Sequence, residues 1–157
     1  MKLLRLGTVA LTRLFISLVF LTSAVHKLLN WHSEECSWME VLCDWQAYVW
    51  FWDQGESFFA ILAHSVPLLL IAATLFELLG GLLILLAVKE KLGAFLLLLV
   101  LFFTTIIFYP FWFQEGDIRE MQITLFLKNL AIAGALLLVL LNGIQPSQPM
   151  PSRDRPQ

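Results

Sequence analysis

An all-α, integral membrane four-helix bundle is the fold this sequence predicts, and three observations predict it. Of 157 residues, 59% are hydrophobic and only 14% are charged, against about 45–50% and about 25% in a typical soluble domain. The apolar residues collect in four long runs, and the charges fall between the runs. Each run meets or approaches the roughly 20 residues that a helix needs to cross a hydrocarbon core about 30 Å thick. Nothing in that core can satisfy an open backbone, so the runs must be helices.

The first helix is expected over about residues 6–29, interrupted by Arg13. Met1–Arg5 also resembles the basic start of a signal peptide, with Thr22-Ser23-Ala24 as a cleavage site. The apolar stretch is longer than such a peptide needs, so a retained helix is the better reading. An outer loop follows over 30–65. The second helix is expected over 66–88, with Pro67 in its first turn, where a missing N–H costs nothing. The third is expected over 92–113, with Pro110 able to kink or end it. The fourth is expected over 123–141. Residues 1–144 then form one domain, a size usual for a single domain. The stretch 145–157 holds four prolines and few apolar residues and is expected to be a disordered cytoplasmic tail.

Charge sets the expected orientation. Lys2, Arg5 and Arg13 lie at the start, Lys89 and Lys91 between the second and third helices, and Arg153 and Arg155 in the tail. The other two loops hold one basic residue, Arg119, against nine acidic ones. Basic loops remain inside, so both termini are expected in the cytoplasm and residues 30–65 outside. The net charge of −2 speaks against nucleic acid as a partner.

The outer loop carries tryptophan every seven residues, at Trp31, Trp38, Trp45 and Trp52, with Glu34, Glu35, Glu40, Asp44 and Asp53 interleaved. Seven residues are two helical turns, so the four indoles share a face. The spacing predicts an amphipathic helix over Trp31–Trp52, lying on the outer surface or folded over the bundle as a cap. Cys36 and Cys43 are also seven apart. On a straight helix that is about 10 Å, beyond the roughly 7 Å reach of a disulfide; two free, partly buried thiols are expected. His26, His32 and His64 lie near the same end of the bundle, but no metal-ligand spacing joins them to the cysteines.

Polar residues inside the runs carry the functional reading. Lys27, Glu77, Tyr109 and Lys128 each belong to a different helix. At about 1.5 Å per residue, they stand about 18–24 Å from the cytoplasmic ends. All four therefore fall in one layer in the outer third of the bilayer. Ionisable groups at that depth are costly, and they usually face the bundle interior and pair. Two lysines around one glutamate would attract an anion or a polarised carbonyl oxygen. An ion-pair staple, or lysines snorkelling to the interface, would be the purely structural equivalents. Gly80, Gly81 and Gly134 are expected to let helices approach closely.

Arg13 followed by Lys27, the run Phe76-Glu77-Leu78-Leu79-Gly80-Gly81-Leu82 and the run Phe126-Leu127-Lys128-Asn129-Leu130-Ala131-Ile132-Ala133-Gly134 resemble the DoxX family of bacterial four-helix membrane proteins. The resemblance extends over roughly residues 5–142, and its marks include Asn129. Where many members carry a histidine near the end of the third helix, this chain has Tyr109 before Pro110. The resemblance implies a bacterial inner-membrane protein with an accessory role in a membrane redox system. It would bind a small lipophilic ligand such as a quinone through Lys27, Glu77, Tyr109, Lys128 and Asn129. No catalytic activity of its own is implied, and the only cofactor suggested is the quinone. The expected partners are the lipid bilayer, from the composition, and other membrane redox subunits, from the resemblance; a second copy of the chain is a further candidate. A scaffolding protein without ligand, or a small lipid-handling or transport protein, would share the same helices. There is no Cys-x-x-Cys, glycine-rich nucleotide loop or catalytic triad pattern.

The charge asymmetry predicts that reporter fusions after residues 50, 90, 118 and 150 read out, in, out, in. An exported fusion at 150 would overturn the orientation.

Overall fold

The structure is a computed structural model that describes residues 2–49 and 54–144. Its helices are α1 (Lys2–Leu29), α2 (Trp31–Tyr48), α3 (Gly55–His64), α4 (Val66–Leu85), α5 (Glu90–Phe108) and α6 (Gly116–Asn142), with a single 3-10 turn at Phe111–Phe113 before α6. Four segments are long and apolar enough to cross a membrane: Gly7–Leu29, Val66–Leu85, Glu90–Phe113 and Gly116–Asn142. The four expected spans are therefore present, and the bundle is all-α among the described residues.

The buried positions show how the spans face one another. On α1 they are Ser17, Phe20, Ala24 and Lys27; on α4 they are Val66, Leu70, Ala73, Thr74, Glu77, Gly80, Gly81 and Ile84. Both sets recur at three- and four-residue steps and form one stripe. The helices pack in the order α1, α4, α5, α6. Between α4 and α5 the backbones touch: a Cβ added at Gly93 would stand 2.8 Å from the Gly80 carbonyl oxygen. One added at Gly81 would meet the Leu21 side chain of α1 at 3.0 Å. Gly134 differs from expectation, because a Cβ there would meet nothing within 4 Å. It sits on the exposed face of α6, the least buried of the spans.

At the end where α1 begins and α6 finishes, polar groups replace apolar packing. The Arg13 guanidinium pairs with the Glu90 carboxylate and donates to the Ile144 carbonyl oxygen at 3.1 Å. Ile144 N–H donates to Glu90 Oε2 at 2.7 Å, and Lys91 Nζ donates to the Leu141 carbonyl oxygen at 3.1 Å. The last carbonyls of a helix have no partner within it. Cations at that terminus satisfy them and complement the helix dipole. Arg13, which interrupts the first apolar run, thus has a structural task.

At the opposite end α2 folds over the bundle. Trp38, Leu42, Trp45 and Val49 are buried beneath it. Trp45 stacks on Phe59 of α3 at 5.2 Å between ring centroids, and Trp38 meets Phe108 of α5 edge-on at 5.1 Å. The Trp45 indole N–H donates to the Ile107 carbonyl oxygen at 2.9 Å. That oxygen is free because Phe111 N–H turns to Tyr109 O instead, as the chain bends through Pro110. Of the two expected arrangements, the cap is the one observed. The third helix correspondingly stops at Phe108, short of the expected 113, and a 3-10 turn completes the span.

Two further expectations change. The amphipathic helix ends at Tyr48, and a second short helix, α3, follows. Its ten residues are too few to span, so hydropathy gave no reason to separate it from the loop. Trp52, Asp53 and the tail 145–157 lie outside the described residues. Cys36 and Cys43 are free, as expected from helical geometry, but both are exposed rather than partly buried. They sit on the face of α2 turned away from the buried Trp38 and Trp45.

The backbone contact at Gly93 makes a test of this packing. Gly93→Ala should lower the thermal stability of the detergent-solubilised protein by about 1–3 kcal/mol, the usual cost of overpacking. Gly134→Ala should change it little. Equal effects would contradict the α4–α5 contact.

Candidate functional site

Lys27 and Glu77 form the polar centre of the bundle. Lys27 lies near the last turn of α1, on the same stripe as Phe20 and Ala24, and is 8% exposed. Glu77 lies midway along α4, one turn before the Gly80-Gly81 pair, and is 4% exposed. Lys27 Nζ donates to both Glu77 oxygens, at 2.6 and 2.7 Å, and to Ser23 Oγ at 2.9 Å. The ammonium thereby uses all three protons. Burying either charge alone would be prohibitive, and burying both requires this degree of satisfaction.

A cavity of about 300 Å³ opens beside the pair. Its polar lining comes from Ser23 and Lys27 of α1, Glu77 of α4, Thr104 of α5, Tyr109 just beyond it and Asn129 of α6. Trp38 and Glu34 of α2 cover it from the capped end. Glu34 Oε1 stands 3.1 Å from His26 Nδ1 at the rim. Asn129 Nδ2 donates to Thr105 Oγ1 at 3.0 Å, which orients the amide against α5. The Tyr109 hydroxyl makes no hydrogen bond among the described residues. Its position follows from the end of α5, where the backbone leaves helical geometry at φ −123° and ψ 60°.

The expected layer is partly assembled. Lys27, Glu77, Tyr109 and Asn129, from or beside four different spans, line one cavity. Lys128 does not: it is exposed on α6, outside the cavity, with no ion pair among the described residues. Depth along a helix was readable from the sequence, but facing was not. One residue turns the helix by about 100°, enough to direct Lys128 outward and Asn129 inward. The ion pair expected for Glu77 with Lys27, Lys128 or both is made by Lys27.

Sequence reasoning missed Ser23, Thr104, Trp38 and the rim pair His26–Glu34. Ser23 lies one turn before Lys27, and that spacing signals a side-chain pair on one helix face. Trp38 is expected on the tryptophan face of the amphipathic helix, and the heptad spacing does not say which polar groups that face covers. No group of three or more metal-binding side chains occurs among the described residues.

Chemically, the cavity offers a cation with its counter-ion, a phenol, an amide and a hydroxyl against an indole wall. It can hydrogen-bond a compact ligand that carries oxygen acceptors. A model of the family described as DoxX matches residues 8–110, which include Arg13, Lys27, Glu77 and Tyr109. No curated protein and no solved structure matches the chain.

Removing one partner of a buried ion pair strands the other and costs about 3–5 kcal/mol. Glu77→Gln should therefore lower thermal stability markedly, and adding Lys27→Met should recover part of the loss. Lys128→Met should leave stability unchanged within about 0.5 kcal/mol. Recovery by Lys128→Met rather than Lys27→Met would reassign the partner.

Proposed function

This chain belongs to the DoxX family, and on that premise we propose that it is an accessory membrane subunit whose bundle binds a small lipophilic ligand of the quinone class. One observation carries the reading. A buried ion pair that could have been closed over by apolar side chains instead borders a cavity with several further hydrogen-bonding groups. A purely structural staple needs no such space. The cavity lies at the lower end of the roughly 300–1,000 Å³ usual for ligand sites, and its apolar walls with a few convergent polar groups follow the same pattern.

In this reading a ligand carbonyl oxygen competes for the Lys27 protons that Ser23 Oγ and the Glu77 oxygens accept, while the carboxylate keeps the ammonium in place. Tyr109 and the Asn129 amide supply further hydrogen bonds, and Trp38 stacks against the ring from the cap. The groups bind and orient; none is placed to form a covalent bond. Association with other membrane redox subunits belongs to the same proposal. So does placement in the bacterial inner membrane with both termini cytoplasmic.

The test is a titration of the protein in lipid nanodiscs with a benzoquinone, read by quenching of Trp38 after the other tryptophans are replaced by phenylalanine. Saturable quenching is expected. Tyr109→Phe and Asn129→Leu, which leave the ion pair intact, should each weaken binding about tenfold, the worth of one hydrogen bond of about 1.4 kcal/mol. Linear, non-saturating quenching, unaltered in both variants, would contradict a quinone site.

A further inference from the structure

The cavity is bordered by α1, α4, α5 and α6 and capped by α2. Glu77 and α5 stand behind it, α2 covers it, and a buried cluster that includes Phe20, Leu97, Leu101 and Leu136 closes it toward the Arg13 end. Its border between α1 and α6 is a seam. Among the described residues the extensive contacts between spans run α1–α4, α4–α5 and α5–α6, and α1 with α6 is not one of them. These two helices are tied where Arg13 donates to the Ile144 carbonyl oxygen, at the far end from the cavity. Between the tie and the cap, Val19 of α1 and Ile132 of α6 line the cavity from either side. Val19 is also 48% exposed, so one side chain borders both the cavity and the lipid-facing surface.

We propose that this seam is a lateral portal, and that the ligand is a membrane amphiphile with a compact hydrogen-bond-accepting head and a long apolar tail. The inference rests on the reading of the cavity as a ligand site and adds the route and the ligand's shape. Three observations carry it. About 300 Å³ holds a head group and little else. Polar groups from all four spans converge in the cavity beside the Lys27–Glu77 pair, while Val19 and Ile132 on its border are apolar. The water-facing rim is narrowed by Trp38 and by the His26–Glu34 contact. A tail that remains in the bilayer satisfies all three, because its apolar surface never has to be moved from lipid to protein. A water-soluble ligand would have to pass the rim instead. A second groove, of about 500 Å³ between α5 and α6, is almost wholly apolar and includes Phe103 and Leu130. The Asn129–Thr105 hydrogen bond separates it from the polar groups, which makes it the natural control.

The experiment places a photo-reactive benzoylphenylalanine singly at Val19, Ile132, Phe103 or Leu75 in the full chain in nanodiscs. The last is an exposed position on α4. Each protein is irradiated with a quinone bearing a long isoprenoid tail, and adducts are mapped by mass spectrometry. Labelling at Val19 and Ile132 is expected at least fivefold above Leu75, with the adduct on the tail and with Phe103 near the Leu75 level. Tail labelling that is strongest at Phe103, or equal at all four positions, would overturn the portal. The same proteins are titrated with the tail-less benzoquinone. If that head binds saturably while the seam is not labelled, the cavity reading stands and the portal fails. If the head does not bind and the seam is not labelled, both fail.

Discussion

A charge in hydrocarbon must find its opposite, and the pairing of Lys27 with Glu77 is the constraint around which this bundle is arranged. Each side chain alone would be intolerable in the membrane interior. Together, with Ser23 accepting the third ammonium proton, they are held in one geometry. The pair fixes α1 against α4 in rotation as well as in height, since a turn of either helix would separate the charges. Gly81, one turn beyond Glu77, lets α1 approach closely enough for the Lys27 side chain to reach. Gly80 and Gly93 then bring α5 onto the other side of α4. Without a hydrophobic drive between helices in lipid, such close contacts and internal polar bonds are what holds spans together.

The same rule of satisfaction governs both ends. Where α6 finishes, Lys91 donates to its open Leu141 carbonyl, Arg13 donates to the Ile144 carbonyl just beyond the helix, and Glu90 balances Arg13 while accepting from Ile144 N–H. Where α5 finishes at Phe108, just before the bend at Pro110, the indole of Trp45 takes the carbonyl that the bend leaves free. The tryptophans of α2 are thus part of the bundle's hydrogen bonding and packing. Their acidic neighbours Glu40 and Asp44 stay exposed on the far face. The cap and the Lys27–Glu77 pair leave a cavity between them. Val19 and Ile132 form part of its border between α1 and α6.

The four spans were legible because hydrocarbon imposes length and hydropathy on any helix that crosses it. So was the depth of Lys27, Glu77 and Tyr109, which follows from counting residues. Facing was not legible: Lys128 and Asn129 are neighbours in sequence, and only packing decides which of them turns inward. The partner of Arg13 was hidden for a different reason. Glu90 reads as a turn residue beside Lys89 and Lys91, and its role appears only when α6 returns to the same end. The helix Gly55–His64 was invisible because ten apolar residues are compatible with a loop, a core segment or an interfacial helix. The heptad of tryptophans announced one face on a helix, but not whether lipid or protein would cover it.

The central claim is that the Lys27–Glu77 pair is the polar anchor of a ligand site. Isotope-edited infrared difference spectroscopy addresses it at the carboxylate itself. With glutamate labelled and the Glu77 band assigned by its loss in the Lys27→Met, Glu77→Gln double variant, that carboxylate band is followed as a long-tailed quinone is added in nanodiscs. A ligand that draws on the Lys27 ammonium loosens its bonds to Glu77, so the account predicts a saturable shift of that band together with a shift of the quinone carbonyl stretch. A Glu77 band that stays fixed while quinone partitions freely into the disc would contradict it.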